Sequence, residues 1–185
     1  MAHPNILDSK HTALVVIDIQ EGFRNPVPDF ELIASRASTA VRGFQTLDLP
    51  VIVTEQYPKG LGPTAEEIQF SLPDGFEISE KTTFSSCGAN SFVERLRDLT
   101  IKQVAICGLE THVCVSQTAH DLLECGFQVH LLTDCVCSRF EQDKRAGLDK
   151  MRASDVISSS IEMALFELTR DATHDKFKEI QHLIK

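Results

Sequence analysis

The sequence has no long hydrophobic run. Its first apolar stretch, the "ALVVI" of "MAHPNILDSKHTALVVIDIQ", is only of strand length. A membrane-spanning helix needs about 20 consecutive apolar residues, and a secretory leader needs a basic start followed by an apolar centre. Neither pattern is met, so the expectation is a soluble cytoplasmic protein with no membrane partner. Basic runs are also lacking. Lys and Arg number 18 against 27 Asp and Glu, for a net charge of −9, which argues against a nucleic-acid or anionic-membrane surface. No repeat, low-complexity tract or Pro/Gly/Ser linker divides the chain. Residues 1–185 therefore read as one domain, long enough to hide roughly 70% of its unfolded surface without covalent staples.

Cysteine is not scarce, but the arrangements that would give it a structural role are missing. The six cysteines stand at 87, 107, 114, 125, 135 and 137. Disulfides would call for an export signal. A structural zinc site would call for a second Cys or His pair to match "CVC" at 135–137, and no such pair is spaced for it. Reduced thiols, no metal and no cofactor are expected.

What the sequence does contain is a recurring alternation. Strand-length apolar runs lie at "ALVVIDI" (13–19), "PVIVTEQ" (50–56), "FEISEK" (76–81), "QVAICGL" (103–109), "QVHLLTD" (128–134) and "DVISSS" (155–160). Four of these are nearly continuous rather than alternating, as in strands buried on both faces. Helical patterns separate them: "FELIASRASTAVRGFQTL", "SFVERLRDL" with Ser91 as a cap, "HVCVSQTAHDLLECG", "QDKRAGLDKM" and "SIEMALFELT", before a terminal "HDKFKEIQHLIK". The alternation predicts an α/β fold, a three-layer α-β-α sandwich around a six-stranded parallel sheet, for which the doubly wound order 3-2-1-4-5-6 is the expectation. One stretch, "YPKGLGPTAEEIQFSLPDG" (57–75), reads as a long, partly ordered excursion at a strand's carboxyl end, where open α/β sheets bind ligands. It is placed to act as a lid.

Three polar residues close three of these strands. Asp18 ends the apolar "VVIDIQ", Lys81 ends "ISEKTTF", and Cys114 follows the fourth strand in "GLETHVC", within the first helical turn. Any one of them has an ordinary explanation: a loop tie, a solvated charge, a packed thiol. In the order 3-2-1-4-5-6 they share one edge. Strands one and four are then neighbours, about 5 Å apart, and Lys81 starts about 10 Å away, within reach of its extended side chain. An acid, a cation and a thiol converge there.

With these residues in place, the sequence resembles the isochorismatase-like cysteine hydrolases, a superfamily that includes nicotinamidases and N-carbamoylsarcosine amidohydrolase. The resemblance runs from "ALVVIDIQEGF" through "EKTTFSS" to "GLETHVCVSQTAHDLLECGFQVHLLTDCVCSR", and "TEQYPKGLGPT" and "FKEIQHLIK" look most like the isochorismatase domain-containing proteins. It implies a catalytic triad of Asp18, Lys81 and Cys114. It also implies a non-proline cis peptide at Leu109–Glu110, an oxyanion hole from the backbone amides of Glu110 and Cys114, and a homo-oligomer. Relatives that are nicotinamidases carry a histidine-containing metal site near strand two. Here no histidine lies between 12 and 111, which weakens that reading. Vinyl-ether isochorismatases typically lack the cysteine, and its presence favours covalent chemistry.

The expected reaction is hydrolysis of a small amide or carbamoyl substrate. A helix N-terminus and a nearby ammonium should depress the Cys114 thiol below the free value near 8.5, making it partly thiolate, with Asp18 receiving or directing its proton. Gln20, Phe23, Gln56, Phe84 and Cys137 flank strand ends and are candidates for lining the substrate pocket. Arg24 and Arg139 are candidate carboxylate anchors, and Lys59 is the one cation of the 57–75 loop. A cysteine–histidine dyad is disfavoured because His112 is two residues before Cys114, the wrong spacing to share a helix face. Vinyl-ether hydrolysis and a non-catalytic binding role on the same fold are the alternatives.

Overall fold

The computed structural model describes residues 3–185. Strands β1 (Thr12–Ile17), β2 (Val51–Gln56), β3 (Ser79–Lys81), β4 (Gln103–Leu109), β5 (Gln128–Cys137) and β6 (Ile157–Ser159) form one sheet. Its order is 3-2-1-4-5-6 with every neighbouring pair parallel. The helices are α1 (Phe30–Thr46), α2 (Pro58–Leu61), α3 (Glu66–Gln69), α4 (Phe92–Asp98), α5 (Ser116–Glu124), α6 (Glu141–Arg152), α7 (Ile161–Thr169) and α8 (Phe177–Leu183). Among the described residues, none is long and apolar enough to cross a membrane.

The continuous apolar runs have a simple physical cause. In β1, Leu14 and Val16 point into a core shared with Phe30 and Phe44 of α1, Leu165 of α7 and Ile180 of α8. Ala13, Val15 and Ile17 point the other way, onto Phe92 and Leu96 of α4, Ala119 and Leu122 of α5 and Met151 of α6. A strand with helices on both sides has no solvent face, so the period of two vanishes from its sequence.

Several boundaries differ from the sequence reading. β3 covers three residues rather than six, and β6 covers 157–159 rather than 155–160. Both are edge strands, pairing with only three residues of β2 and of β5. Phe76 and Ile78 still pack on the core without joining the ladder, so the apolar pattern reported burial and not pairing. Ser91 stands at the start of α4 with φ 58° and its side chain caps nothing; its carbonyl accepts the Arg95 amide instead. The 57–75 segment is ordered and docked. Gly62 carbonyl accepts Gln20 Nε2 at 2.7 Å, Glu55 accepts both the amide and hydroxyl of Thr64 at 2.6 Å, and Ala65 N donates to Ile19 carbonyl at 2.8 Å.

Where β4 passes the end of β1, it carries Gly108 at φ 133°. A Cβ there would collide with the Ile17 carbonyl, one residue before Asp18. Gly108→Ala is therefore expected to cost about 1–3 kcal/mol of stability, as overpacking does, with chemical denaturation as the measurement. An unchanged midpoint would mean that the two strand ends separate freely.

Candidate active site

Each strand end delivers its residue to the carboxyl edge by a local device. β1 stops at Ile17, and Asp18 turns into the left-handed region at φ 51°, a conformation that Asp tolerates better than most side chains. Its backbone N–H still reaches Thr54 carbonyl at 3.2 Å, and its carboxylate is left facing the sheet's end, fully buried. Thr54 Oγ1 donates to Oδ1 at 2.8 Å, and Lys81 Nζ donates to Oδ2 at 2.6 Å.

Lys81 completes its shell with Gln56 Oε1 at 3.0 Å, Phe84 carbonyl at 3.0 Å and Thr83 carbonyl at 3.2 Å. Three ammonium hydrogens thus meet four oxygens, and both side chains of the Lys81–Asp18 pair have 0% exposure. A buried ion pair survives only when such hydrogen bonds replace the lost water. Gln56 is held in turn. Its Nε2 donates to Thr82 carbonyl at 2.8 Å and its backbone N to Gln20 Oε1 at 2.7 Å.

Cys114 arrives from β4. The Leu109–Glu110 peptide is cis, and residues Thr111–Val115 form a π-helical turn before α5 begins at Ser116. π-turns are rare and concentrate at functional sites. The Cys114 sulfur is 4.0 Å from Gln56 Oε1, the outer limit for a thiol donor. Asp18 and Lys81 both lie close enough to act on it by charge, in opposite directions.

The thiol's state corrects the sequence reading. Burial and the Asp18 charge push Cys114 up to about 12, with Lys81 and the Glu110 amide pulling weakly the other way. The expected depression is absent because Lys81 gives its charge to Asp18 and burial outweighs its pull on the thiol. Cys114 is a neutral thiol at rest. Asp18 is itself raised above the usual carboxylate range, by burial, against the opposing pull of Lys81, Thr54 and the thiol.

The remaining candidates divide. Gln20 is fully buried, its amide bonded to Gln56 on one side and Gly62 on the other, which leaves no polar group for a ligand. Arg24 is equally committed, to Glu21 at 2.7 Å and Glu67 at 3.0 Å, and is no open carboxylate anchor. Phe23 packs on the core. Cys137 is buried, with its thiol on Pro28 carbonyl at 3.5 Å, and burial raises it. Phe84 presents an exposed ring beside its Lys81-bound carbonyl. Arg139 is tied through Nε to Glu110 at 3.0 Å. Lys59 lines a cavity of about 410 Å³ with Tyr57, Glu80, Lys81 and Asn90. Thr54, which bonds Asp18, is not singled out by the sequence patterns above. The signal was there, a hydroxyl inside an apolar strand beside the one carrying Asp18. Among the described residues, no three His, Cys, Asp or Glu side chains cluster to hold a metal.

The model of the isochorismatase domain matches residues 12–162, a span holding Asp18, Lys81 and Cys114. The chain belongs to the isochorismatase-like hydrolase family. It is 38% identical over 186 residues to isochorismatase domain-containing protein 2 of Danio rerio, covering 100% of this chain and 92% of that relative. Among solved structures of this fold, the MAR1 ribonuclease of Caenorhabditis elegans superposes with a TM-score of 0.92 at 36% identity, covering 97% of this chain and 92% of its own. The pyrazinamidase of Pyrococcus horikoshii, solved with zinc, superposes with a TM-score of 0.69 at 26% identity, over 81% of this isochorismatase-family chain and 99% of its own.

Proposed function

We propose that this protein hydrolyses a small amide or carbamoyl compound with Cys114 as nucleophile. The observation that carries the reading is the buried Lys81–Asp18 pair at 2.6 Å with a thiol facing its carboxylate. Nothing in the packing of the sheet calls for an ion pair and a thiol together, and a desolvated pair costs stability that an apolar replacement would not.

The chemistry follows from the resting states. Asp18, an anion with a raised affinity for protons, takes the Cys114 proton as sulfur attacks the carbonyl carbon. The carbonyl oxygen becomes an oxyanion beside the Glu110 amide, where a fixed donor in a dry site is worth most; the amide of Cys114 is the second donor of this proposal. Asp18 then returns the proton to the departing amine. Water, deprotonated by the same carboxylate, clears the thioester and restores the thiol. Lys81 holds Asp18 in place and keeps it charged. The homo-oligomer and the single-domain organisation over 1–185 stand with this proposal.

The worm relative is described as a ribonuclease. Carrying that activity over would require cations for phosphate at the site. Here Lys81 is buried and fully bonded, Arg24 and Arg139 are paired with carboxylates, Lys59 is the one further cation lining the cavity at Lys81, and the net charge is −9. The amide reading is preferred. It is tested by ammonia release from a panel of small primary amides and N-carbamoyl compounds, with an RNA oligonucleotide alongside. Turnover of an amide, lost in Cys114→Ser and surviving exhaustive chelation, is expected. Loss on chelation restored by zinc would point to metal-assisted hydrolysis, and RNA cleavage without amide turnover would overturn the proposal.

A further inference from the structure

We infer that Cys137, Ser138 and Arg139, at and just beyond the end of β5, form a brace that aims the Glu110 amide, with Arg139 as its positioning residue. This rests on the oxyanion role proposed for that amide. Three consecutive residues of the catalytic turn are each bonded to this short segment. One Glu110 oxygen, Oε1, accepts both the backbone N–H and the Nε–H of Arg139 at 3.0 Å. Thr111 Oγ1 donates to Cys137 carbonyl at 3.0 Å. His112 Nδ1 pairs with Ser138 Oγ at 3.0 Å.

The other side of the turn is closed by α6. A Cβ at Gly147 would stand 2.8 Å from His112 Cα and 3.0 Å from Thr111 carbonyl, so that position admits only glycine if the turn is to stay where it is. The turn is thus gripped from β5 and pressed by α6.

Electrostatics gives Arg139 a second part. The Glu110 carboxylate belongs to the same residue whose amide is to stabilise an anion, and its side chain is only 6% exposed. Left alone, it would set a second negative charge near the oxyanion. The Arg139 guanidinium, half in solvent, neutralises it from outside while fixing the backbone. Small displacements matter here, because a misplacement of about 1 Å can cost on the order of 100-fold in rate.

The test compares two reagents on Cys114 of the full chain, read by peptide mass spectrometry. With 4-nitrophenyl acetate, sulfur attacks the carbonyl, an oxyanion forms, and a thioester and 4-nitrophenol result. With methyl methanethiosulfonate, sulfur attacks sulfur, methanesulfinate leaves, and no oxyanion develops. Arg139→Ala and Gly147→Ala are each expected to lower the ratio of acetylation to thiosulfonate rate by about 10-fold. Arg139→Lys, which keeps a cationic donor for the Glu110 carboxylate, should recover most of the ratio lost in Arg139→Ala. An unchanged ratio in both alanine variants, or an equal fall of both rates, overturns the brace while leaving the triad standing. If wild-type Cys114 reacts with the thiosulfonate but is never acetylated, the reading of the site falls, and the brace with it.

Discussion

Lys81→Met is expected to lower the free energy of unfolding by about 3–5 kcal/mol, the usual consequence of stripping one partner from a buried ion pair. The side chains of Lys81 and Asp18 are both at 0% exposure and 2.6 Å apart. Methionine preserves most of the buried volume, so the loss is electrostatic: Asp18 keeps its charge, or takes up a proton, with no cation beside it. The double variant Asp18→Asn/Lys81→Met should recover most of the loss, because neither charge then remains to be desolvated. Urea denaturation of the two single variants and the double variant gives the coupling directly. Additive losses would show that the pair is not the unit described above.

The same variant carries a sign for pH. Burial raises Asp18 above its ordinary value of 3.8, and removing Lys81 takes away the strongest opposing effect. A carboxyl raised in the folded state binds protons that the unfolded chain has already released. Stability then falls as pH rises from the ordinary value through the folded one. Lys81→Met should therefore be most stable in mild acid and weaken toward neutrality, with a steeper decline than the wild type over that window.

How far the sequence disclosed this site depends on which force governs each residue. The strands themselves, and the polar residues Asp18, Lys81 and Cys114 at their carboxyl ends, are one-dimensional signals in the apolar runs. The order 3-2-1-4-5-6 that brings the three together is not in those runs and comes from the common doubly wound arrangement. The lengths of β3 and β6 were not legible, because Phe76 and Ile78 are apolar for the core and not for a ladder. Gln20 and Arg24 read as ligand contacts since they flank β1, but the docked 57–75 segment claims both. No local pattern announces that a loop forty residues later will bind them. Thr54 and Gln56, by contrast, turn out to complete the charged pair. The protonation of Cys114 differs from the sequence expectation for a related reason. Helix position is visible in sequence and argues for a thiolate; burial is not, and it dominates.

That reversal yields the sharper test of mechanism. With Cys114 pushed up to about 12, the thiolate at pH 7 is about five decades below the thiol, too scarce to carry an efficient reaction unaided. Acylation by 4-nitrophenyl acetate should instead follow Asp18. The rate should rise as Asp18 loses its proton, above the ordinary carboxylate value of 3.8, then hold level while thiol and carboxylate coexist. It should climb again where the growing thiolate fraction overtakes this path, and bend off as the thiol itself titrates near 12. Asp18→Asn removes the acceptor and should abolish the level region, lowering the rate at pH 7 by about 10²–10⁴, the usual range for a general base. What remains should rise tenfold per pH unit. Its upper bend should shift downward, because the carboxylate that disfavoured a second anion is gone. The groups titrate as a set, so the bends belong to the cluster and not to single residues. A level region that persists in Asp18→Asn would mean that some other base serves Cys114, and would remove Asp18 from the chemistry.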